Sequence, residues 1–565
     1  MLNVQNQYSN YLKEAVEMLN NSGIDIEIAK GLETTINKAE LLIPFIGTFS
    51  AGKSTLLNLL LEKQALPIDI TPETDLATEL RYSEEERVEV ITEDGHIERF
   101  SLERMQDIKS RSAEFNHLRM YLDSEILRSI APLIPVDMPG FDSTLENHHK
   151  AISRYINQGS HYIVVTSAED GGLTKSLERQ LDSINSAGTS FSIFVSKTNL
   201  RSQEQVEDVI DNINIQVEGV FDEDPVVIPV GNVDGETLRT HISSIDPENL
   251  FKAVYSPYVK EEHRRLVENL NLSIASLEKT SDENIEAIDE LREHVKKLSK
   301  KRDQLIRDAR NKYSDQGVKR CSDAVERALM DESENLINIA ISGNQDAFGK
   351  AVAEISQSSL MREVGRYMED IEERVAKDLT VELNGLNRTM SGFAVGDEWA
   401  DDFGSRAKTG LDMARPVLDT AAEYMSGKTG TVYRAVTTTL AVTTGVVFPV
   451  VEIIIIFLPD LLKFISRKSQ EQEMRDKVVN DVIPRVKRDI EPKLRELVNE
   501  QTNALIKDIS DEFESEIQEK EKLLSMREAQ RQENSEERAA RIEGLEKARE
   551  ELRKCASKNV YGEVA

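Results

Sequence analysis

Residues 47–54 read Gly47-Thr-Phe-Ser-Ala-Gly52-Lys53-Ser54, the spacing G-x-x-x-x-G-K-[ST]. This spacing has a chemical purpose. Glycines let consecutive backbone N–H groups curl around phosphate oxygens, the lysine places a cation against the β and γ phosphates, and the serine hydroxyl is a hard oxygen ligand for Mg²⁺. Gly47, Ser50, Ala51, Gly52, Lys53, Ser54 and Thr55 are therefore expected to line the phosphates of a nucleoside triphosphate, with Ser54 on the metal. The competing reading is a glycine-rich turn with a chance Lys-Ser. An apolar strand-like run before the motif and a helix-like run, Thr55 to Glu62, after it argue against that.

A second group lies about 80 residues on, at Pro135-Val-Asp137-Met-Pro-Gly140. An apolar run ending in an acid and then a glycine places Asp137 to hold Mg²⁺ through water and the Gly140 N–H to meet a γ-phosphate. Between the two groups stands Thr71-Pro-Glu-Thr74-Asp-Leu-Ala-Thr78. A switch segment needs a threonine whose hydroxyl reaches the metal and whose carbonyl orients an attacking water. Three threonines compete here; Thr74 is favoured, Thr71 is second, and a polar surface loop is the plain alternative. A fourth group, Ser196-Lys197-Thr198-Asn199, ends another apolar run. In guanine-specific proteins the corresponding run ends in [NT]-K-x-D, where the aspartate accepts from guanine N1–H and the 2-amino group. Asn199 offers one acceptor there and opposes the other donor with its own NH₂. Lys197 and Asn199 are thus expected at the base, with guanine selectivity weakened. Gly231, after the run Val226 to Val230, is where a last base-contacting loop would fall.

These groups need a scaffold, and the hydrophobic pattern supplies one. Short apolar runs at Leu41–Ile46, Val88–Thr92, Ile134–Val136, Tyr162–Thr166, Phe191–Val195 and Val226–Val230 alternate with helix-like segments. That is the texture of an α/β domain with a largely parallel sheet. Pro44 is an irregularity within the first run, since proline cannot donate to a ladder. Before this domain, Leu12, Ala15, Val16 and Leu19 keep helical spacing, and Gly23 interrupts the run. After about Leu250 the strand texture stops. Ile288, Leu291, Val295, Leu298 and Leu305 follow heptad-like spacing, and Ile542, Leu545 and Leu552 give a seam to a highly charged last helix. The expected organisation is an N-terminal helical segment (1–38), a nucleotide-binding head (39–250), a helical neck and trunk (251–425), an apolar tip (426–468) and returning helices (469–565).

The order GTFSAGKS, threonine switch, DMPG, SKTN, long helical stalk and apolar insert resembles the bacterial dynamin-like proteins, with the mitofusins as more distant relatives. The resemblance implies an α/β P-loop GTPase head on an all-α stalk with a hydrophobic tip. It further implies GTP and Mg²⁺ as ligands, weak hydrolysis until heads assemble, and membrane remodelling through the tip, including vesicle release linked to toxin secretion. Head-to-head homodimers or higher assemblies, with a related dynamin-like protein as an alternative partner, belong to the same expectation. Ser50 resembles the P-loop serine that helps hold an activating monovalent cation such as K⁺. Ser50, Lys53 and Thr74 are accordingly the expected catalytic residues, and Ser54, Thr74 and Asp137 the metal set. Phe49 stands where many eukaryotic dynamins carry glutamine, and Phe141 stands where a water-positioning glutamine would follow DMPG.

Ala435 to Val451 is a charge-free run of 17 residues. At about 1.5 Å per residue it spans roughly 25 Å, short of the ~30 Å hydrocarbon core, and it contains Gly445 and Pro449. A kinked hairpin entering one leaflet fits better than a spanning helix, with Val447, Phe448, Ile454, Ile455 and Phe457 as the lipid-facing set. Five cations (Lys428, Arg434, Lys463, Arg467, Lys468) against Glu452 and Asp460 make this segment positive on a chain of net charge −32. Each cation near an anionic leaflet contributes about 1 kcal/mol. The alternative is a buried helix pair or an oligomer interface. The acidic balance argues against nucleic acid as a partner. Cys321 and Cys555 form no disulfide framework or metal cluster, and the N-terminus lacks a basic start followed by an apolar run, so a cytoplasmic protein peripheral to the inner face of the membrane is expected. His148-His149 reads as a surface pair. Two other functions stay open: a scaffold that has lost nucleotide turnover, suggested by Asn199, and a coiled-coil NTPase acting on protein complexes or nucleic acid.

Overall fold

A computed structural model gives the fold. It describes residues 1–48, 51–66, 76–92, 96–104, 108, 111, 114–139, 159–174, 177, 181, 190–218, 226–231, 235–309, 314–342, 344–396, 399–400, 403, 446–447, 449–451, 454, 471–530 and 535–562.

Helices α1 (Asn3–Leu19) and α2 (Glu27–Lys38) lead into strand β1 (Leu41–Gly47), followed by α3 (Lys53–Leu61). Then come β2 (Thr78–Tyr82), β3 (Arg87–Thr92), β4 (Ile97–Phe100), β5 (Phe115–Leu122), α4 (Glu125–Ile130), β6 (Leu133–Asp137), β7 (His161–Ser167) and β8 (Ser190–Ser196). α5 (Gln203–Val217), β9 (Val226–Pro229) and α6 (Glu236–Ser244) complete the head. The strands form one sheet in the order β4-β3-β5-β2-β6-β1-β7-β8-β9. Pairing is parallel from β6 through β1, β7 and β8 to β9 and between β2 and β5; it is antiparallel at β2–β6, β3–β5 and β3–β4. The sheet is therefore mixed, with an antiparallel extension added to the expected parallel half. Leu41, Ile43 and Phe45 of β1 face the core shared with Leu56, Leu57 and Leu60 of α3. Leu42 and Ile46 face the opposite layer, with Val209, Ile213 and Val217 of α5.

Pro44 sits inside central β1, and the ladder adjusts for it. Leu42 bridges Gly159, whereas Phe45 is level with Ile163. Three steps on β1 thus meet four on the neighbouring chain, an irregularity of the kind that admits a residue without an N–H. The extension is held by charge. Arg99, Glu89, Arg119 and Glu79 lie in one register row across β4, β3, β5 and β2. Arg99–Glu89 (3.0 Å) and Arg119–Glu79 (3.2 Å) are ion pairs along it.

The helical part begins with α7 (Pro247–Glu278), started by the Asp246 side chain and by proline at its first position. Glu248 in its first turn accepts from the Asn3 and Val4 N–H groups at 2.7 and 2.8 Å, which caps α1 and fixes it to the head end of α7. α8 (Ser281–Asp308) starts on a capping box, Thr280 with Glu283. α9 (Ser314–Asp331), α10 (Ser333–Ser342) and α11 (Gln345–Leu383) follow. After the apolar segment come α12 (Glu471–Lys477), a π-type turn at Val478–Val482, α13 (Ile483–Gln530) and α14 (Ser535–Ala556). Pro484, which has no N–H to give, lies in the first turn of α13, separated from the π-type turn by one residue.

Polar contacts show how the arms run. Ser281 pairs with Glu528, Arg292 with Glu521, Ser299 with Glu514, Asp315 with Arg495, Ser322 with Glu491, Lys487 with Asp323, and Arg475 with Glu334. One number rises as the other falls, so α8 to α10 and α12 to α13 are antiparallel throughout. α11 then returns toward the head, with Glu363 on Arg320 and Asp378 on Lys301. Beyond it the Asn387 side chain accepts from Ala400 N–H at 2.7 Å, Trp399 stacks on Phe403, and Phe403 meets Phe513 edge-on. The chain at Phe403 therefore lies beside α13. The apolar segment departs from expectation. Val447 and Ile454 are 0% and 3% exposed and belong to the same core as the stalk, together with Val446, Val450 and Val451. Away from a bilayer, apolar side chains gain about 25 cal/mol for each Å² they bury against one another. Phe448, Ile455 and Phe457 lie outside the described residues. Among the described residues no helix is long and apolar enough to cross a membrane.

Candidate nucleotide site

The site lies at the C-terminal ends of β1, β6, β7 and β8, where open α/β sheets place their ligands. β1 ends at Gly47, which is level with Val165 on β7. A Cβ at Gly47 would stand 2.2 Å from the Val165 carbonyl oxygen, a backbone atom that cannot yield, so glycine is obligatory there. Gly52 takes the left-handed conformation (φ 93°) and turns the chain into α3, whose first residues are Lys53 and Ser54. The first N–H groups of α3 thus point into the loop, where the helix dipole favours an anion. Lys53 is buried, and its ammonium donates to the carbonyls of Gly47 (3.1 Å) and Thr48 (3.0 Å), folding back over its own loop.

Ser54 and Asp137 are brought together. The Ser54 hydroxyl donates to Asp137 Oδ2 at 2.7 Å across 83 residues of sequence. Asp137 ends β6 and is fully buried. Burial pushes its carboxyl up to about 6, against the Ser54 hydrogen bond and the Lys53 charge, which pull it down. Its second oxygen, Oδ1, is buried without a hydrogen-bond partner among the described residues. A buried carboxylate with an open oxygen beside a serine hydroxyl suits a hard cation with oxygen ligands, so Ser54 and Asp137 fit Mg²⁺.

β2 brings Thr78 level with Asp137. The segment favoured as a switch therefore rejoins the sheet beside the metal acid. Thr71 and Thr74 themselves lie outside the described residues, as do Phe49, Ser50, Gly140, Phe141, His148 and His149. Ala51 is buried, and Thr55 is partly buried in the first turn of α3.

At the base end, Lys197 adopts the left-handed region (φ 57°), and Thr198 to Leu200 form a 3₁₀ turn that presents Asn199 at the surface. Lys197 pairs with Glu169 at 2.7 Å, a contact the sequence did not signal. Val230 N–H donates to Val195 O at 2.7 Å, so the chain leaving β9 at Gly231 starts beside this turn. Ser196 is buried and donates to Ala51 O at 2.5 Å. It ties the base turn to the phosphate loop; its one available signal was a small polar residue ending an apolar strand.

Residues 43–198 match the family model described as the dynamin family. The head is a dynamin-family domain. A dynamin-like protein 2 of Campylobacter jejuni subsp. jejuni serotype O:23/36 (strain 81-176) is 31% identical over 139 residues, covering 22% of this chain and 22% of that one. An uncharacterized protein from the xynA 3′ region of Caldicellulosiruptor sp. (strain Rt8B.4) is 24% identical over 220 residues, 37% of this chain and 53% of that one. The chain thus spans about half the length of one of these relatives and about a fifth of the other. A solved oligomerised bacterial dynamin pair is similar over 93% of this chain and 91% of its own, at 14% identity and a TM-score of 0.33. A variant of Era from Aquifex aeolicus bound to GDP·AlF₄⁻ covers 41% and 68% at 14% identity and a TM-score of 0.24. Scores this low add nothing to the dynamin-family assignment, which rests on residues 43–198.

Proposed function

We propose that this dynamin-family protein binds GTP with Mg²⁺ in its head, hydrolyses it weakly until heads meet, and acts on membrane through its apolar segment. The observation that carries the reading is the Ser54–Asp137 pair with its open carboxylate oxygen, set at the start of the α3 helix. When a nucleotide is bound, Lys53 turns from the Gly47 and Thr48 carbonyls to the β and γ phosphates, and the α3 N–H groups hold the rest of their charge. Ser54 and Asp137 would hold Mg²⁺, which would supply positive charge to the phosphates. Thr74, or Thr71, orients the water, and Ser50 holds a monovalent cation such as K⁺. Lys197 and Asn199 face the base. Assembly is through the heads, with a second copy or a related protein. Val447 and Ile454 reach lipid only after leaving the stalk core, which makes membrane contact conditional on a change in the stalk. Vesicle release linked to toxin secretion is one outcome of such a cycle, and a cytoplasmic protein peripheral to the inner membrane face would carry it out.

Asn199 favours a second reading, a scaffold that binds without turnover. Phosphate release from GTP, ITP and XTP, with and without anionic liposomes, in potassium and in sodium, separates the two. Liposome-stimulated release that is faster in potassium is expected; binding without release under every condition supports the scaffold.

A further inference from the structure

Where α7 packs on α13, six carboxylates meet three cations. α7 supplies Glu261, Glu262, Arg264, Arg265 and Glu268, and α13 supplies Glu512, Glu516, Glu519 and Lys520. Every cation is already shared. Arg264 pairs with Glu261 and Glu268, Arg265 with Glu262 (2.8 Å) and Glu519, and Lys520 with Glu516 (3.0 Å) and Glu268 (3.7 Å). Asn269 joins the helices without charge: it accepts from Lys520 at 2.7 Å and donates to Glu519 at 2.8 Å. One acid is left over. Glu512, one turn before Glu516 on the same face of α13, has no ion pair among the described residues. The neighbouring elements do not supply one. Arg302 of α8 pairs with Asp511 and Glu514 (3.4 Å each). The turn after α1 brings Asp25, whose carbonyl takes a further N–H of Arg265 at 3.0 Å and whose carboxylate adds negative charge beside Glu519.

Ionised, Glu512 faces Glu516, Glu519 and Glu261, and its one near cation, Arg265, is already held by two other acids. Like charges gathered in a joint whose other members are mostly buried cannot all stay ionised. We propose that Glu512 carries a proton while α7 and α13 are packed together, so that this joint tightens as the pH falls and loosens as it rises past neutrality. The electrostatics agree with the charge count. Burial, and then Glu516, Glu519 and Glu261, push the Glu512 carboxyl up to about 8, against Arg265. A carboxyl raised from 4.5 to about 8 on packing favours the packed state fully below pH 4.5, and that advantage is lost as the pH rises to 8. The device is separate from the nucleotide site and needs neither GTP nor Mg²⁺.

The test is hydrogen exchange of the full chain, read by mass spectrometry on peptides from α7 and α13 across the joint and on peptides from the head sheet. The parent and Glu512→Gln are compared at pH 6.5 and at pH 9. The intrinsic exchange rate at each pH is common to both proteins, so their ratio reports opening of the structure. In the joint, the parent should open more than Glu512→Gln, and that excess should grow about 10-fold from pH 6.5 to pH 9. Head peptides should keep one ratio at both pH values. An excess in the joint that does not change with pH would show that Glu512 holds no proton there and would overturn the inference. A pH-dependent excess of the same size in the head would place the effect outside the joint and would overturn it as well. If Glu512→Gln does not fold, Glu512→Ala also removes the carboxyl and gives the same comparison.

Discussion

The head and the neck both bury charge, and they do so in opposite ways. In the head, Asp137 is fully buried beside one hydroxyl and keeps an oxygen without a hydrogen-bond partner among the described residues. In the neck, where α7 and α13 cross the turn after α1, Lys520 is equally buried but surrounded. It donates to Asn269 Oδ1 at 2.7 Å and pairs with Glu516 at 3.0 Å and Glu268 at 3.7 Å. Beside it, Arg265 joins Glu262, Glu519 and the Asp25 carbonyl, and Arg527 reaches the Ser22 carbonyl. Gly23, between those carbonyls, is left-handed (φ 78°), and a Cβ there would press on Met526. A buried charge with an unused valence marks a place made for a ligand. A buried charge enclosed by partners from several helices marks a joint.

Four changes test that contrast. Lys53→Ala should remove nucleotide binding and turnover, a loss of at least about 100-fold, because no other described side chain in the loop supplies a cation. Parental turnover in the purified variant would end the assignment of the head. Lys520→Met should destabilise the neck by about 3–5 kcal/mol, since it removes the buried cation that pairs with Glu516 and leaves Glu268 with Arg264 alone. Urea unfolding followed by helical circular dichroism measures this. Nucleotide affinity should stay parental, and a change there would mean that the joint and the site are not separate. Asn199→Asp should tighten GTP by about 1–3 kcal/mol, roughly 5- to 150-fold, by restoring two acceptors toward guanine. No gain, on a parent already selective for GTP, would show that another residue reads the base.

The smallest effect concerns pH. Burial holds the Asp137 carboxyl at about 6, above its ordinary 3.8. Its ionised form therefore costs the fold stability above pH 6, and that cost fades as the pH falls toward 4. Mg²⁺ competes with the same proton. Affinity for Mg²⁺-nucleotide should drop about 4-fold between pH 7.5 and 5.5 on this account alone. Asp137→Asn should bind more weakly but without this pH dependence; an unchanged slope would assign the proton elsewhere.

Strands β1, β6 and β7 and most of β8 were legible because they are buried on both faces and read as continuous apolar runs. β2, β4 and β5 were not. Their residues alternate with Glu79, Arg81, Arg99 and Arg119, and apart from the Arg81–Glu79 pair their partners (Glu40 for Arg81, Glu89 for Arg99, Arg119 for Glu79) lie outside their own strand, so a local window does not show why the charges are tolerated. In the site, the glycines, Lys53, Ser54 and Asp137 announced themselves by spacing. Ser196 did not, because it serves a backbone carbonyl, and any strand end can carry such a residue. The fate of Val447 and Ile454 was illegible for a different reason. An apolar run states that it avoids water, but not whether lipid or protein will cover it.

α13 runs for 48 residues without a break, from the π-type turn near α12 to the buried charges of the neck. At 1.5 Å per residue that is a rod of about 72 Å. Fixed at the neck and tilted by about ten degrees, such a rod carries its other end about 12 Å sideways. The enclosed lysine and arginines beside Gly23 thus sit at the fulcrum of a long lever, where a shift of one hydrogen bond near the head is multiplied into a displacement as wide as a helix.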